Sequence, residues 1–310
     1  MALIKTTVEM RTYLRMSLSE KEASWQPYVG PATDKYIRPV LGDVLLDALN
    51  ADYNAATHDA DLVALLPYVQ GALAKFTLLM AVPNLDLNIS EGGFTVISSP
   101  NVAPASRERV NALMASLLEQ GWDAIEILLR FLEENINDYA SWETSDAYTL
   151  AIRNLVNSAV DFDKIFHIMQ SRILFNRFRN SLDDVDNLII KRNISADMFD
   201  ALMADIRAGV ISAENQKILP LLKRAEVFYA ISENIDKSKC EGVGVEINNQ
   251  FLKLDMDLMK YKARQYLDDA LVIMKATPDD YPEYRDSAQY QVAVTRFEND
   301  ADRKIFVFGG

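Results

Sequence analysis

Chemistry in this chain would have to start from very few residues. Histidine occurs twice, at His58 and His167, and cysteine once, at Cys240. A closed zinc site takes four Cys or His ligands at short spacing, and neither histidine has another such residue beside it. His58 falls in a polar turn, and His167 lies between Phe166 and Ile168 in a predicted helix, so both read as structural. Cys240 follows Lys237-Ser238-Lys239, whose charge would lower a thiol pKa. No His, Asn or Asp constellation can be named for it, and it reads as a surface thiol. The chain has 11 glycines and neither G-x-G-x-x-G nor G-x-x-x-x-G-K-[ST], so nucleotide phosphates have no recognisable loop.

The acidic candidates are no richer. Glu133-Glu134 and Asp279-Asp280 are carboxylate pairs at helix ends, and acid–base catalysis needs a positioned partner for them. Asp183-Asp184-Val185-Asp186 looks like half a calcium loop without its glycine and closing glutamate, so helix capping explains it better. Arg172, Arg177 and Arg179, interleaved with Phe175 and Phe178, could touch nucleic acid, although Phe178 reads as core. A formal net charge of −13 weighs against a whole-surface nucleic-acid binder. The expectation is therefore no catalytic residue, no organic cofactor and no metal: a protein that is not an enzyme.

The elements that would position these residues are mostly helical. A short helix is expected over 7–14 with Thr7 as cap. Trp25, Tyr28, Val29, Ala32, Tyr36 and Ile37 keep a three–four spacing, which predicts an amphipathic helix despite Pro27 and Pro31. Pro39 and Gly42 end it, and Asp43 caps a helix over 44–53. Leu62, Leu65, Leu66, Val69, Leu73 and Phe76 predict a helix over 61–80 with a broad apolar face. Leu85–Ile89 alternates, Glu91-Gly92-Gly93 turns and Phe94–Ile97 completes the pattern of a β-hairpin. Further helices are expected over 107–135, 161–175 and 248–276. A polar, aromatic connection is expected over 137–149, and a bridge over 150–160. The chain shows no run of about 20 apolar residues and no signal-peptide pattern at its start, so neither a membrane span nor a secretory leader is expected.

The pattern also repeats. Shifted by 153 positions, Tyr36–Pro67 lies on Ile189–Pro220 without a gap, with ten of 32 positions identical. Trp25 then meets Phe178, Val29 meets Leu182 and Ala32 meets Val185. At a shift of 142, Tyr139 meets Tyr281, Trp142 meets Tyr284, Ser145 meets Ser287 and Tyr148 meets Tyr290. The turn Glu241-Gly242 before Val243–Ile247 matches the first hairpin. The expected fold class is mainly α: two pseudo-equivalent helical modules from an internal duplication, each with a small β-hairpin. The expected domains are 1–152, 153–298 and a tail at 299–310.

Val8-Glu9-Met10-Arg11-Thr12-Tyr13-Leu14-Arg15, followed by Trp25…Tyr28-Val29…Ala32…Tyr36-Ile37…Leu41-Gly42, resembles the opening of tailed-phage head–tail connector (adaptor) proteins. Ile37 to Gly42, Ile-Arg-Pro-Val-Leu-Gly, resembles a Bacteroidetes phage and prophage group. The resemblance covers about the first 80 residues, and those adaptors are single modules, half as long. It implies a virion structural protein, made in the host cytoplasm, forming a homo-oligomeric ring between portal and tail or stopper proteins. DNA would pass through the lumen without sequence-specific binding, repelled by acidic walls, and no membrane would be involved. The rivals are a cellular helical interaction or scaffold protein and, behind it, a small-molecule enzyme.

The last residues add an interface candidate. Ile305, Phe306, Val307 and Phe308 come after a charged stretch and favour an extended strand. Such a strand would pair within its own module or add to a neighbouring chain.

Overall fold

The computed structural model describes residues 3–16, 21–85, 87–90, 93–96, 106–234 and 256–290. The second hairpin (243–247), Cys240 and the tail Ile305–Phe308 lie outside the described residues. The chain is mainly α, and its contacts divide it into two units. The first takes residues up to 153 together with 157–177; the second takes 154–156 and the described residues from 178 on.

The first unit opens with α1 (Thr7–Tyr13). Its cap is Thr6, one residue earlier than expected: the Thr6 hydroxyl accepts from the Glu9 amide, and the Glu9 carboxylate accepts from the Thr6 amide at 2.9 Å. This capping box satisfies two orphan amides at once. Ahead of it Leu3 and Ile4 are buried, and Gln70 Nε2 donates to the Leu3 carbonyl at 2.7 Å.

The stretch expected as one amphipathic helix is three kinds of helical turn in series. A 3₁₀ turn (Gln26–Tyr28) leads into α2 (Val29–Ala32), a π turn (Thr33–Ile37) and α3 (Arg38–Tyr53). Pro27 sits at the start of the 3₁₀ turn, where a missing amide costs nothing. Of the expected stripe, Trp25, Val29, Ala32 and Ile37 are fully buried, while Tyr28 and Tyr36 are half-buried; Leu41 joins the buried set. Gly42 breaks α3 with φ 73° and ψ 167°, so the stop expected there is a kink. Asp43 does not cap the helical turns after the kink; its carboxylate pairs with Arg38.

Asp59 caps α4 (Ala60–Ala81), accepting from the Asp61 amide at 2.9 Å. The segment Ala60–Asn84 holds an 18-residue window of mean hydropathy 1.6 and is long and apolar enough to cross a membrane by length and composition, which the sequence reading did not pick out. In this fold Leu65, Val69, Ala72, Leu73 and Phe76 are buried in the unit's core. Strands β1 (Leu87–Ser90) and β2 (Gly93–Val96) pair antiparallel, with Leu87 opposite Val96. Helix α5 (Arg107–Glu134) then packs along α4. At Gly121 the contact is tight: an added Cβ would stand 2.6 Å from Phe76 Cε1. The Phe76 ring is stacked on Tyr36 at 3.9 Å between centroids and lies edge-on to Trp122 at 5.7 Å.

Residues 137–149 are not a polar connection. They form a 3₁₀ turn (Ile136–Asp138), α6 (Ala140–Glu143) and α7 (Asp146–Ala151), which bury Tyr139, Trp142 and Tyr148. The Tyr139 hydroxyl donates to the Asp61 carbonyl at 2.7 Å, and Trp142 Nε1 donates to the Val40 carbonyl at 2.9 Å. The helix expected over 161–175 is also interrupted. Ser158 caps α8 (Ala159–Ile165), and the chain then turns through Met169 and Gln170, both at positive φ. The Asp163 carboxylate holds this turn by accepting from the Ile168 amide at 2.6 Å and the Gln170 amide at 3.2 Å. Helix α9 (Arg172–Val185) comes next, and the division between units falls within it.

In the second unit α9 runs on into a π turn (Asp186–Ile190) and α10 (Lys191–Ile194). Ser195, at φ 81° and ψ 157°, caps α11 (Ala196–Ala208) by accepting from the Met198 amide at 3.1 Å. Helices α12 (Asn215–Asn234) and α13 (Met256–Ala276) pack together, and α13 leads through a 3₁₀ turn (Pro278–Asp280) into α14 (Pro282–Arg285). Phe178, Leu182, Val185, Ile190, Leu202, Leu222 and Leu267 form much of this core. The Tyr281 hydroxyl donates to the Glu214 carbonyl at 2.8 Å, and Tyr284 is buried edge-on to Tyr290.

Candidate functional site

The residues singled out in the sequence are scattered. His58 is exposed, with Nδ1 3.0 Å from the Asp52 carbonyl oxygen. His167 lies in the turn after α8, outside any helix, 3.1 Å from Asp163. Asp279 pairs with Arg285 at 2.9 Å, and Asp280 with Lys217 at 3.6 Å. Among the described residues no three His, Cys, Asp or Glu side chains are grouped to hold a metal ion.

Two ionisable clusters are brought together. In the first unit Arg172 is not part of a surface patch. It is 3% exposed, its Nη1 donates to Glu126 Oε2 at 2.5 Å, and its guanidinium lies 5.0 Å from the centre of the Phe175 ring. Glu133, about two turns along α5 from Glu126, faces the same cation. Burial pushes the Glu133 carboxyl up to about 7; the Glu126 charge adds to the rise and Arg172 opposes it. On the same helix Asp123 is raised by burial and by Glu119 and Glu126, while burial lowers Lys75, which donates to the Gly71 carbonyl at 2.8 Å.

In the second unit Asp186 and Glu226 form a buried carboxyl pair. Asp186 begins the π turn and is 2% exposed; Glu226, in the middle of α12, is fully buried. Around them lies the strap Asn154-Leu155-Val156. Asn154 Nδ2 donates to Asp186 Oδ2 at 3.0 Å and to Asp183 Oδ1 at 2.8 Å, and the Val156 amide donates to Glu226 Oε2 at 2.9 Å. Burial raises both carboxyls, and they hydrogen-bond each other. Asp183 and Asp186, which in sequence look like half a calcium loop, thus serve to hold the strap. Glu226 escapes a sequence reading because its 40-residue separation from Asp186 leaves no local pattern. Its one visible signal is a glutamate among the apolar positions of α12.

These arrangements can hold a proton, fix a turn and join elements. Residues 37–152 and 248–294, just over half of the chain, match DUF6712, a family of unknown function, and the chain belongs to that family. No curated protein and no solved structure matches it.

Proposed function

We propose that the chain is a head–tail connector of a tailed phage, built as two copies of one helical module and assembled as a ring between portal and tail. The observation that carries the reading is the segment with the connector resemblance, Trp25 to Gly42. It carries the fully buried residues Trp25, Val29, Ala32, Ile37 and Leu41 on one side and ends in a kink at positive φ. The same construction recurs 153 positions later. Thr33–Ile37 and Asp186–Ile190 are both π turns, and Gly42 and Ser195 share one backbone conformation.

Other bonds recur in register and support the duplication. Asp52 Oδ1 accepts from the Asp59 amide, and Asp205 Oδ2 from the Ser212 amide, at 2.7 and 2.9 Å. Tyr139 reaches the carbonyl of Asp61, and Tyr281 that of Glu214. Ser145 and Ser287 each bond the carbonyl three residues back. The second family match, 248–294, moved back by 142 positions becomes 106–152, the end of the first. Each module also opens alike: Leu3-Ile4 before the cap Thr6, and Leu155-Val156 before the cap Ser158.

A ring needs unlike faces on the two sides of each subunit, so the contacts would be heterologous. The test is composition and imaging of purified virions or of the isolated portal complex. The expected result is this chain as a ring coaxial with the portal. Its absence from purified virions would remove the proposal. An experimental structure in which α4 and α12 had unlike neighbours would remove the duplication.

A further inference from the structure

We propose that a single proton shared by Asp186 and Glu226 fastens the strap Asn154–Val156, which makes the strap a pH-sensitive latch. Asp186 Oδ1 and Glu226 Oε1 are both buried without a donor from any other protein group. Yet the two carboxyls bond each other. Two ionised carboxylates are acceptors only, so this bond requires one proton between them. That proton satisfies both orphaned oxygens at once. The other oxygens are already used: Glu226 Oε2 takes the Val156 amide, and Asp186 takes the Asn154 side chain and the Leu155 amide.

The charges facing the pair do not reverse this. Lys191 and Lys223 favour the ionised forms, but burial is the largest effect on both acids. The Lys191 ammonium is also engaged elsewhere, 2.9 Å from Asn187 Oδ1 and 4.5 Å from the centre of the Phe199 ring. Asp183 adds negative charge beside the pair through the shared Asn154 amide. A second ionisation would put two like charges in contact inside an apolar core, which the fold resists by opening at its smallest movable piece. That piece is the three-residue strap. The positions 153 residues earlier are Thr33 and Leu73, which carry no charge, so the device belongs to the second unit.

Asp186 is raised to about 7 and the Asp186 charge helps to raise Glu226 further, so the first proton leaves near neutrality and the shared one stays; the strap loses protection as pH rises further and that second proton leaves. The experiment is hydrogen exchange of the Leu155 and Val156 amides in the full chain from about pH 6 to 9, corrected for intrinsic exchange. Wild type should lose protection by up to about tenfold per pH unit once the pair titrates. Glu226→Gln keeps an acceptor for Val156 and a donor for Asp186, and should be flat and better protected than wild type at the upper end. Asp186→Asn gives the same reading should Glu226→Gln fail to fold. An unchanged pH slope in the folded variant, or a flat wild type, would overturn the latch. So would protection at high pH that depends on added sodium or magnesium, since a cation would then be the shared group.

Discussion

Gly42 and Ser195, 153 positions apart, hold almost the same backbone conformation, φ 73° with ψ 167° and φ 81° with ψ 157°. Only glycine adopts this region without strain, of order 1–3 kcal/mol for other residues. Ser195 offsets part of that cost through its hydroxyl, which caps α11 and donates to the Glu283 carbonyl at 3.2 Å. Gly42 has room for a side chain, with Ser145 Cβ 3.4 Å from an added Cβ. Gly42→Ala should therefore destabilise by about 1–3 kcal/mol. Gly42→Ser should cost less, because the hydroxyl can cap as it does at Ser195. Ser195→Ala should lose about 1 kcal/mol through the missing cap. Chemical denaturation of the three variants checks the order; Gly42→Ser no better than Gly42→Ala would count against equivalent kinks.

Gly121 is set by contact and not by its own dihedral angles. An added Cβ would meet three atoms of the Phe76 ring at 2.6 to 3.0 Å, and that ring is held by Tyr36 and Trp122. Gly121→Ala is favourable for an exposed helix, yet here it should destabilise by about 1–3 kcal/mol from overpacking. Adding Phe76→Leu should recover part of the loss, and equal losses with and without it would rule out the steric account.

The Glu126–Arg172–Glu133 cluster gives the first unit its own pH dependence. Glu133 is raised in the fold to about 7. Stability from its protonated form is complete below the ordinary carboxylate range and is lost as pH rises through about 7. Glu133→Gln should flatten the melting temperature against pH across that window. Glu126→Gln removes one charge that raises Glu133, so the same fall should move to lower pH. Glu126→Ala strands the buried Arg172 and should cost about 3–5 kcal/mol. Thermal melts over the pH range check all three, and an unshifted profile in Glu126→Gln would refute the coupling.

The tail strand is tested by deletion of Ile305 to Gly310. On the reading that Phe306 and Phe308 add to a neighbouring chain, the shortened protein should melt as wild type does and fail to assemble. A large drop in melting temperature with normal assembly would show that the tail serves its own module.

Sequence is most informative where one periodicity runs long. Helix α4 lies within one residue of its expected ends, because Leu62 to Met80 keep one period and Pro83 stops it. It is least informative where tertiary bonds make the element. Helices α6 and α7 are too short for a period of 3.6 to show, and they exist because Tyr139, Trp142 and Tyr148 are anchored in the core. The break after α8 carries no glycine or proline; the Asp163 carboxylate makes it. The acid pair of the second unit is invisible in sequence for the same reason: Asp186 and Glu226 meet only once α12 has packed.

Helix α5 has 28 residues, so it is a rod of about 42 Å. Near its middle, bare backbone at Gly121 rests on a ring that cannot turn aside. The rod can therefore neither roll about its long axis nor slide along α4 without first displacing Phe76. A force on α5 that moves this stretch of backbone therefore meets the aromatic stack of Tyr36, Phe76 and Trp122.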